Sequence, residues 1–148
     1  MDTSVFYGVF RADVRLPSMM LLDMALKGQI VILYSDIIKE ELVRAEKRGQ
    51  GLFKYIPAEH KEKVAILPEI QRLARTYIDE RVVGETSMND CRHIAVAAVH
   101  GADALVSWNF KHIVNVHRIK GYNDINVRFG YPILEIRSPA EVLEYETL

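Results

Sequence analysis

The run Gln29-Ile30-Val31-Ile32-Leu33-Tyr34 is short, rich in β-branched residues and almost uninterrupted by polar side chains. That is the pattern of a strand buried on both faces, as in a parallel sheet sandwiched between helices. A chain carrying such a run must also supply helices to cover it. Residues 16–27 do so, placing Leu16, Met19, Met20, Leu22, Ala25 and Leu26 at helical spacings, with Gly28 where the helix should close. Ser35 then serves as an N-cap with Asp36 in the first turn, predicting a helix over 36–47 that carries Glu41 near its middle.

The same alternation continues. Pro57 can open a helix running through Ala65, and Pro68 should break it or restart it through Tyr77, giving a helical arm. The chain turns near Gly84. Ser87-Met88-Asn89-Asp90 fits a capping pattern ahead of an alanine- and valine-rich helix, His93 to His100, closed by Gly101. Further strands are expected at 104–108 and 133–136. Ser138-Pro139-Ala140-Glu141 combines a cap, a proline at the first helical position and an acid at the third, the start of a last short helix. Strands separated by helices imply an α/β fold with a mostly parallel sheet, and no repeat or linker divides the 148 residues, so residues 1–148 are expected to form a single domain.

Composition excludes several classes. Nineteen basic against twenty acidic residues give a formal charge of −1, too balanced for non-specific scavenging of nucleic acid. With 49% hydrophobic and 26% charged residues, a core of ordinary size is expected. Cys91 is the single cysteine and cannot form an internal disulfide. No apolar run approaches the roughly 20 residues of a membrane span, and acidic Asp2 follows Met1 where a signal peptide would be basic, so a cytoplasmic location without membrane partners is expected.

Four distant stretches place a carboxylate or amide beside a strand-like or helical segment: Asp2, Glu41, Asp90 and Asn109. Asn109 directly follows a strand and Asp90 opens a helix, so both should lie at the carboxyl edge of the sheet, where ligands of such folds bind. Clustered carboxylates suit Mg2+ or Mn2+, which take oxygen ligands and keep several waters. Without a cation, they raise one another's pKa.

Taken in order, Met1-Asp2-Thr3-Ser4-Val5-Phe6, Ser35 through Glu41-Leu42, Asn89-Asp90 leading into His93-Ile94-Ala95-Val96-Ala97, and Leu105-Val106-Ser107-Trp108-Asn109-Phe110 resemble the PIN-domain ribonucleases, the family that includes the VapC toxins of toxin–antitoxin modules. The resemblance covers nearly the whole chain, from Asp2 to Ile136-Arg137-Ser138-Pro139. It implies a three-layer α/β/α sandwich with a parallel sheet and Mg2+- or Mn2+-dependent cleavage of RNA. Asp2, Glu41 and Asp90 fall on the acidic metal positions, and Asn109 stands at a fourth catalytic position where the family usually has aspartate. An RNA substrate, an antitoxin protein and a homodimer are the implied partners. The family's first strand precedes its first aspartate by several residues, whereas here only Met1 does, so that strand is expected to be truncated or missing.

Each residue also has a plainer role open to it. Asp2 could be a solvated terminal residue, Asp90 and Asn109 helix caps, and Glu41 part of a solvated Lys39-Glu40-Glu41 face on which Glu40 is a rival. His93 could shuttle a proton but is more ordinarily a packed residue, and His112 and His117 lack the spacing of a zinc site. Trp108 could stack on a base or fill the core. Lys111, His112, Arg118 and Lys120 could hold RNA phosphate. Two other functions compete with a ribonuclease: a catalytically weak RNA- or protein-binding PIN module, and a phosphatase with Asp2 as covalent nucleophile. The apolar face Val64, Ile66, Leu67, Ile70, Leu73 and Ala74 of the arm is expected to be covered partly by a second copy of the chain.

Overall fold

The computed structural model describes residues 1–44 and 47–146. Among them run eight α-helices and two parallel strand pairs, in the order α1 (Thr3–Gly8), α2 (Arg15–Leu26), β1 (Ile32–Tyr34), α3 (Asp36–Arg44), α4 (Lys47–Tyr55), β2 (Lys61–Lys63), α5 (Pro68–Asp79), α6 (Met88–Val99), β3 (Ala104–Val106), α7 (Val116–Arg128), β4 (Glu135–Arg137) and α8 (Pro139–Glu146). The α/β alternation expected from the sequence is present. The sheet is in two pieces, β1 paired with β2 and β3 with β4, in registers Leu33 opposite Glu62 and Leu105 opposite Ile136.

Three of the four strands leave the sheet through a buried serine, Ser35, Ser107 and Ser138. In each case the hydroxyl accepts a backbone N–H two or three residues on: Ile37 at 3.3 Å, Asn109 at 2.9 Å and Glu141 at 3.2 Å. A serine oxygen satisfies a donor that the turning backbone has just exposed, which is why this residue type suits strand-to-helix corners. At Ser138 the return bond from its N–H to Glu141 Oε1, 3.2 Å, completes the capping box read from the sequence.

The helix expected over 57–65 is not formed. Pro57 leads into a single 3-10 turn, Ala58–His60, and then into β2. Lys61-Glu62-Lys63 has no apolar alternation to betray a strand, and as an edge strand it needs none, because charge blunts its exposed side. Lys61 donates to the Phe53 carbonyl at 3.0 Å and covers the Phe53 ring, while Lys63 pairs with Asp36 at 3.1 Å. The helix expected over 36–47 ends at Arg44, with 45–46 outside the described residues.

Two apolar clusters hold the elements together. One gathers α5, α6 and α7 around Ile70, Leu73, Tyr77, Ile94 and Tyr122. There Tyr77 stacks edge-on against Tyr122 at 5.0 Å and donates to Asn126 Oδ1. Cys91, on α6, is buried in this cluster, and burial pushes its thiol up to about 12. On the apolar face of the arm, Ile70, Leu73 and Ala74 are buried in the cluster with the chain's own α6, while Val64, Ile66 and Leu67 are partly buried against it. The other cluster packs α1, α2, α3 and α4 around Phe6, Leu21, Leu42 and Phe53. Among the described residues no helix is long and apolar enough to cross a membrane.

Candidate active site

β3 delivers its last residues to the N-terminus of the chain. The Asp2 N–H donates to the Val106 carbonyl at 3.0 Å, which fixes Met1 and Asp2 beside the end of β3 and starts α1 there. Asp2 is only 5% exposed, and both its oxygens are held: Ser4 Oγ donates to Oδ1 at 2.6 Å and Ser107 Oγ to Oδ2 at 2.9 Å. Ser4 in turn accepts the Trp108 N–H at 2.9 Å. Two hydroxyls and two backbone donors thus join the first turn of α1 to the corner after β3. Buried carboxylate oxygens need such hydrogen-bond donors.

Glu41 reaches the same region from α3, about one and a half turns beyond the end of β1. Its Oε1 accepts from Thr3 Oγ1 at 3.0 Å and lies 2.5 Å from His93 Nε2 on α6. Burial pushes the Glu41 carboxyl upwards, but the hydrogen bonds and charge of His93, the Thr3 hydroxyl and the charge of Arg44 outweigh it and leave its pKa below the ordinary value. Glu40, its rival in the sequence, points to solvent.

Asp90 opens α6 one turn before His93. Its Oδ2 lies 3.3 Å from His112 Nδ1. Burial raises its pKa; His112 and His93 pull the other way, and the negative charge of Asp2 adds to the rise. Asp90 therefore stands within electrostatic range of Asp2, His93 and His112, while His93 bridges to Glu41. Asp2 at the N-cap of α1 lies beside Thr3, which donates to Glu41 on α3; His93 on α6 contacts Glu41, and Asp90 on α6 feels the charges of His93 and Asp2.

Asn109 serves as a cap. Its Oδ1 accepts the His112 N–H at 2.9 Å and holds the turn that brings His112 to Asp90; no helix begins at Phe110. The hydroxyls of Thr3, Ser4 and Ser107 were not legible as site residues, although Asp2-Thr3-Ser4 and Ser107 beside Trp108 lie inside the motifs. Gly8 belongs to the support of this corner: a Cβ there would meet Ser18 Oγ and, at 2.8 Å, Trp108 Nε1. Those two atoms are hydrogen-bonded to each other, Trp108 Nε1 donating at 2.8 Å.

The site residues include three carboxylates, the oxygen-donor type that hard divalent cations take, and burial together with the charge of Asp2 raises the pKa of Asp90. Among the described residues no group of three or more His, Cys, Asp or Glu side chains is placed to hold a metal ion. No family model, no curated protein and no solved structure matches this chain.

Proposed function

We propose that the chain is a metal-dependent ribonuclease of PIN type, with the strand pairs forming part of a three-layer α/β/α sandwich. The observation that supports it is that Glu41 contacts His93, Asp90 contacts His112, and Asp2 lies close enough to Asp90 for its charge to act there, the three acids coming from distant sequence segments. Asp2, Glu41 and Asp90 would hold Mg2+ or Mn2+, which when bound supplies charge neutralisation at phosphate and an activated water. The residues of the chain do the positioning. Thr3 and His93 orient the Glu41 carboxylate, Ser4 and Ser107 orient Asp2, and Asn109 fixes the turn that carries His112. His112 is half-buried beside Asp90, where it would exchange a proton with a bound phosphate. An RNA substrate, an antitoxin protein and a homodimer are part of this assignment.

Asp2 is a poor candidate for a phosphatase nucleophile, since a serine hydroxyl caps each of its oxygens. One observation favours a binding module instead: Asn109 contributes a neutral amide whose oxygen is already engaged with the His112 N–H. Incubation of a labelled single-stranded RNA with Mn2+ separates the two. The wild type should cleave it, and Asp90→Asn should reduce cleavage at least ~100-fold while retaining the folded far-ultraviolet spectrum. Equal cleavage by both proteins would sink the nuclease. Binding without cleavage by the wild type would favour the module.

A further inference from the structure

Four of the helices end in the same backbone motif. After α2, α6 and α7 the residue past the last turn is Gly28, Gly101 and Gly130, with φ of 76°, 66° and 88°. Its N–H bonds back to the carbonyl of Ala25, Ala98 or Val127, and the next N–H reaches that of Met24, Ala97 or Asn126. Glycine suits this left-handed position because it has no Cβ to clash. At the end of α5 the same pair of bonds recurs, from Arg81 N–H to the Ile78 carbonyl at 2.9 Å and from Val82 N–H to the Tyr77 carbonyl at 3.0 Å. The left-handed residue there is Arg81, with φ 62°, the one non-glycine residue of positive φ among those described. The chain thus bears at the end of α5 a backbone strain that it avoids at the other three ends.

What arginine adds at this position is a cation on the wall of a surface cavity of about 520 Å3. Arg118, from α7, lines the same cavity. Close packing brings it there: a Cβ at Gly121 would stand 2.9 Å from Val82 Cγ1, and Arg118 Nη1 donates to the Val82 carbonyl at 2.7 Å. That bond leaves the guanidinium with further donors to give. The two acids on the wall, Asp79 and Glu85, are both held by Arg75, Asp79 at 2.9 Å from Nε and Glu85 through two bonds of 3.0 and 2.6 Å. Among the described residues neither Arg81 nor Arg118 has a carboxylate partner. Three guanidiniums therefore meet two carboxylates, and one positive charge is in excess.

We propose that this cavity is a phosphate site, in which Arg81 and Arg118 grip one phosphate group, either free or in a polynucleotide backbone. A guanidinium offers parallel N–H donors that match two phosphate oxygens, a geometry that a lysine at the same place would not supply. The strain at Arg81 is then the cost of placing such a fork where the other helix ends carry no side chain. Asp2, Glu41 and Asp90 do not line the cavity, so the inference does not rest on the ribonuclease assignment.

The test uses the full chain in EDTA, so that the acidic residues hold no metal and no cleavage is read, with ionic strength kept constant by chloride. Inorganic phosphate is one probe, and a labelled single-stranded RNA without terminal phosphates is the other. A rise of ~2–4 °C in the wild-type melting midpoint with inorganic phosphate marks free phosphate as the ligand. RNA binding in fluorescence anisotropy without that rise marks the polynucleotide backbone. In either case Arg81→Gly should abolish the rise or weaken RNA binding ~10-fold. In plain buffer the same variant should melt ~2–4 °C higher than the wild type, because the left-handed position is relieved, so a lost response cannot be a lost fold. Lys54→Gln removes one exposed charge from α4 and should leave both responses as in the wild type. Equal responses from Arg81→Gly and the wild type would overturn the proposal, as would a wild type that answers neither probe. So would a lower midpoint for Arg81→Gly in plain buffer, which would account for Arg81 as the cation at the negative end of α5.

Discussion

Glu41 and Asp90 lie in the same constellation, yet their surroundings push them apart. The Glu41 pKa is lowered, so its contribution to stability is fully present above the unfolded value near ~4.3 and is lost as pH falls through the lower folded value. His93→Ala removes the donor, and should cost about 1.5–3 kcal/mol at neutral pH and move this acid loss to higher pH. Urea unfolding of both proteins across the acid range checks it; superimposable pH profiles would mean that His93 does not hold Glu41. Asp90 carries the opposite sign. Its raised pKa means that ionisation costs stability, fully above the folded value and not at all below the unfolded value near ~3.9. Asp90→Asn should therefore melt a few degrees higher than the wild type at neutral pH, with the gain vanishing in acid; a lower melting temperature at neutral pH would refute it. At this scale the carboxylates are legible because motif order singles them out, and the Glu41-Leu42 pair distinguishes Glu41 from Glu40. Thr3, Ser4 and Ser107 were not, because a hydroxyl becomes informative only when the fold shows which oxygen it meets.

Elements were legible where local chemistry decides them. Strands β1, β3 and β4 follow from short apolar runs, β-branched in β1, and the cap of α8 from Ser138-Pro139-Ala140-Glu141. Ser138→Ala should cost about 1 kcal/mol and lower the melting temperature by ~2–4 °C, read by calorimetry; an unchanged midpoint would mean that the cap carries nothing. Strand β2 escaped detection because Lys61-Glu62-Lys63 is selected by an edge rather than a core, and α4 because Gly49 and Gly51 dilute its helical pattern. Gly49 packs against Tyr7 and Leu42, where a Cβ would lie 3.0 and 3.2 Å from their atoms, so the residue that hides the helix also lets it dock. In the arm, an amphipathic pattern specifies that a face is covered, not by what. With Leu73 buried against α6, Leu73→Ala should cost about 2–5 kcal/mol, and Leu73→Glu should give an unfolded chain at every concentration. A folded, monomeric Leu73→Glu protein in light scattering would restore the dimer face.

At the scale of the whole molecule, the two apolar clusters are unequal. The α5, α6 and α7 cluster contains 19 buried residues of those described and the α1 to α4 cluster 11, so the second should open at lower free energy. Native-state hydrogen exchange should release α1 and α4 amides before those of α5 and α6; simultaneous release would show a single cooperative unit. The α/β alternation was legible because periodicity is local, whereas the division of the sheet depends on pairing across long separations. Trp108 gives this architecture an optical voice. It is the single tryptophan of the chain, it sits between Ser107 and Asn109, and its indole N–H is tied to Ser18 on α2. The intrinsic fluorescence of the protein excited at the red edge of absorption thus originates at one corner, where the first turn of the chain, the end of β3 and Asp2 meet, and any paramagnetic ion or nucleobase arriving there should quench it without a label.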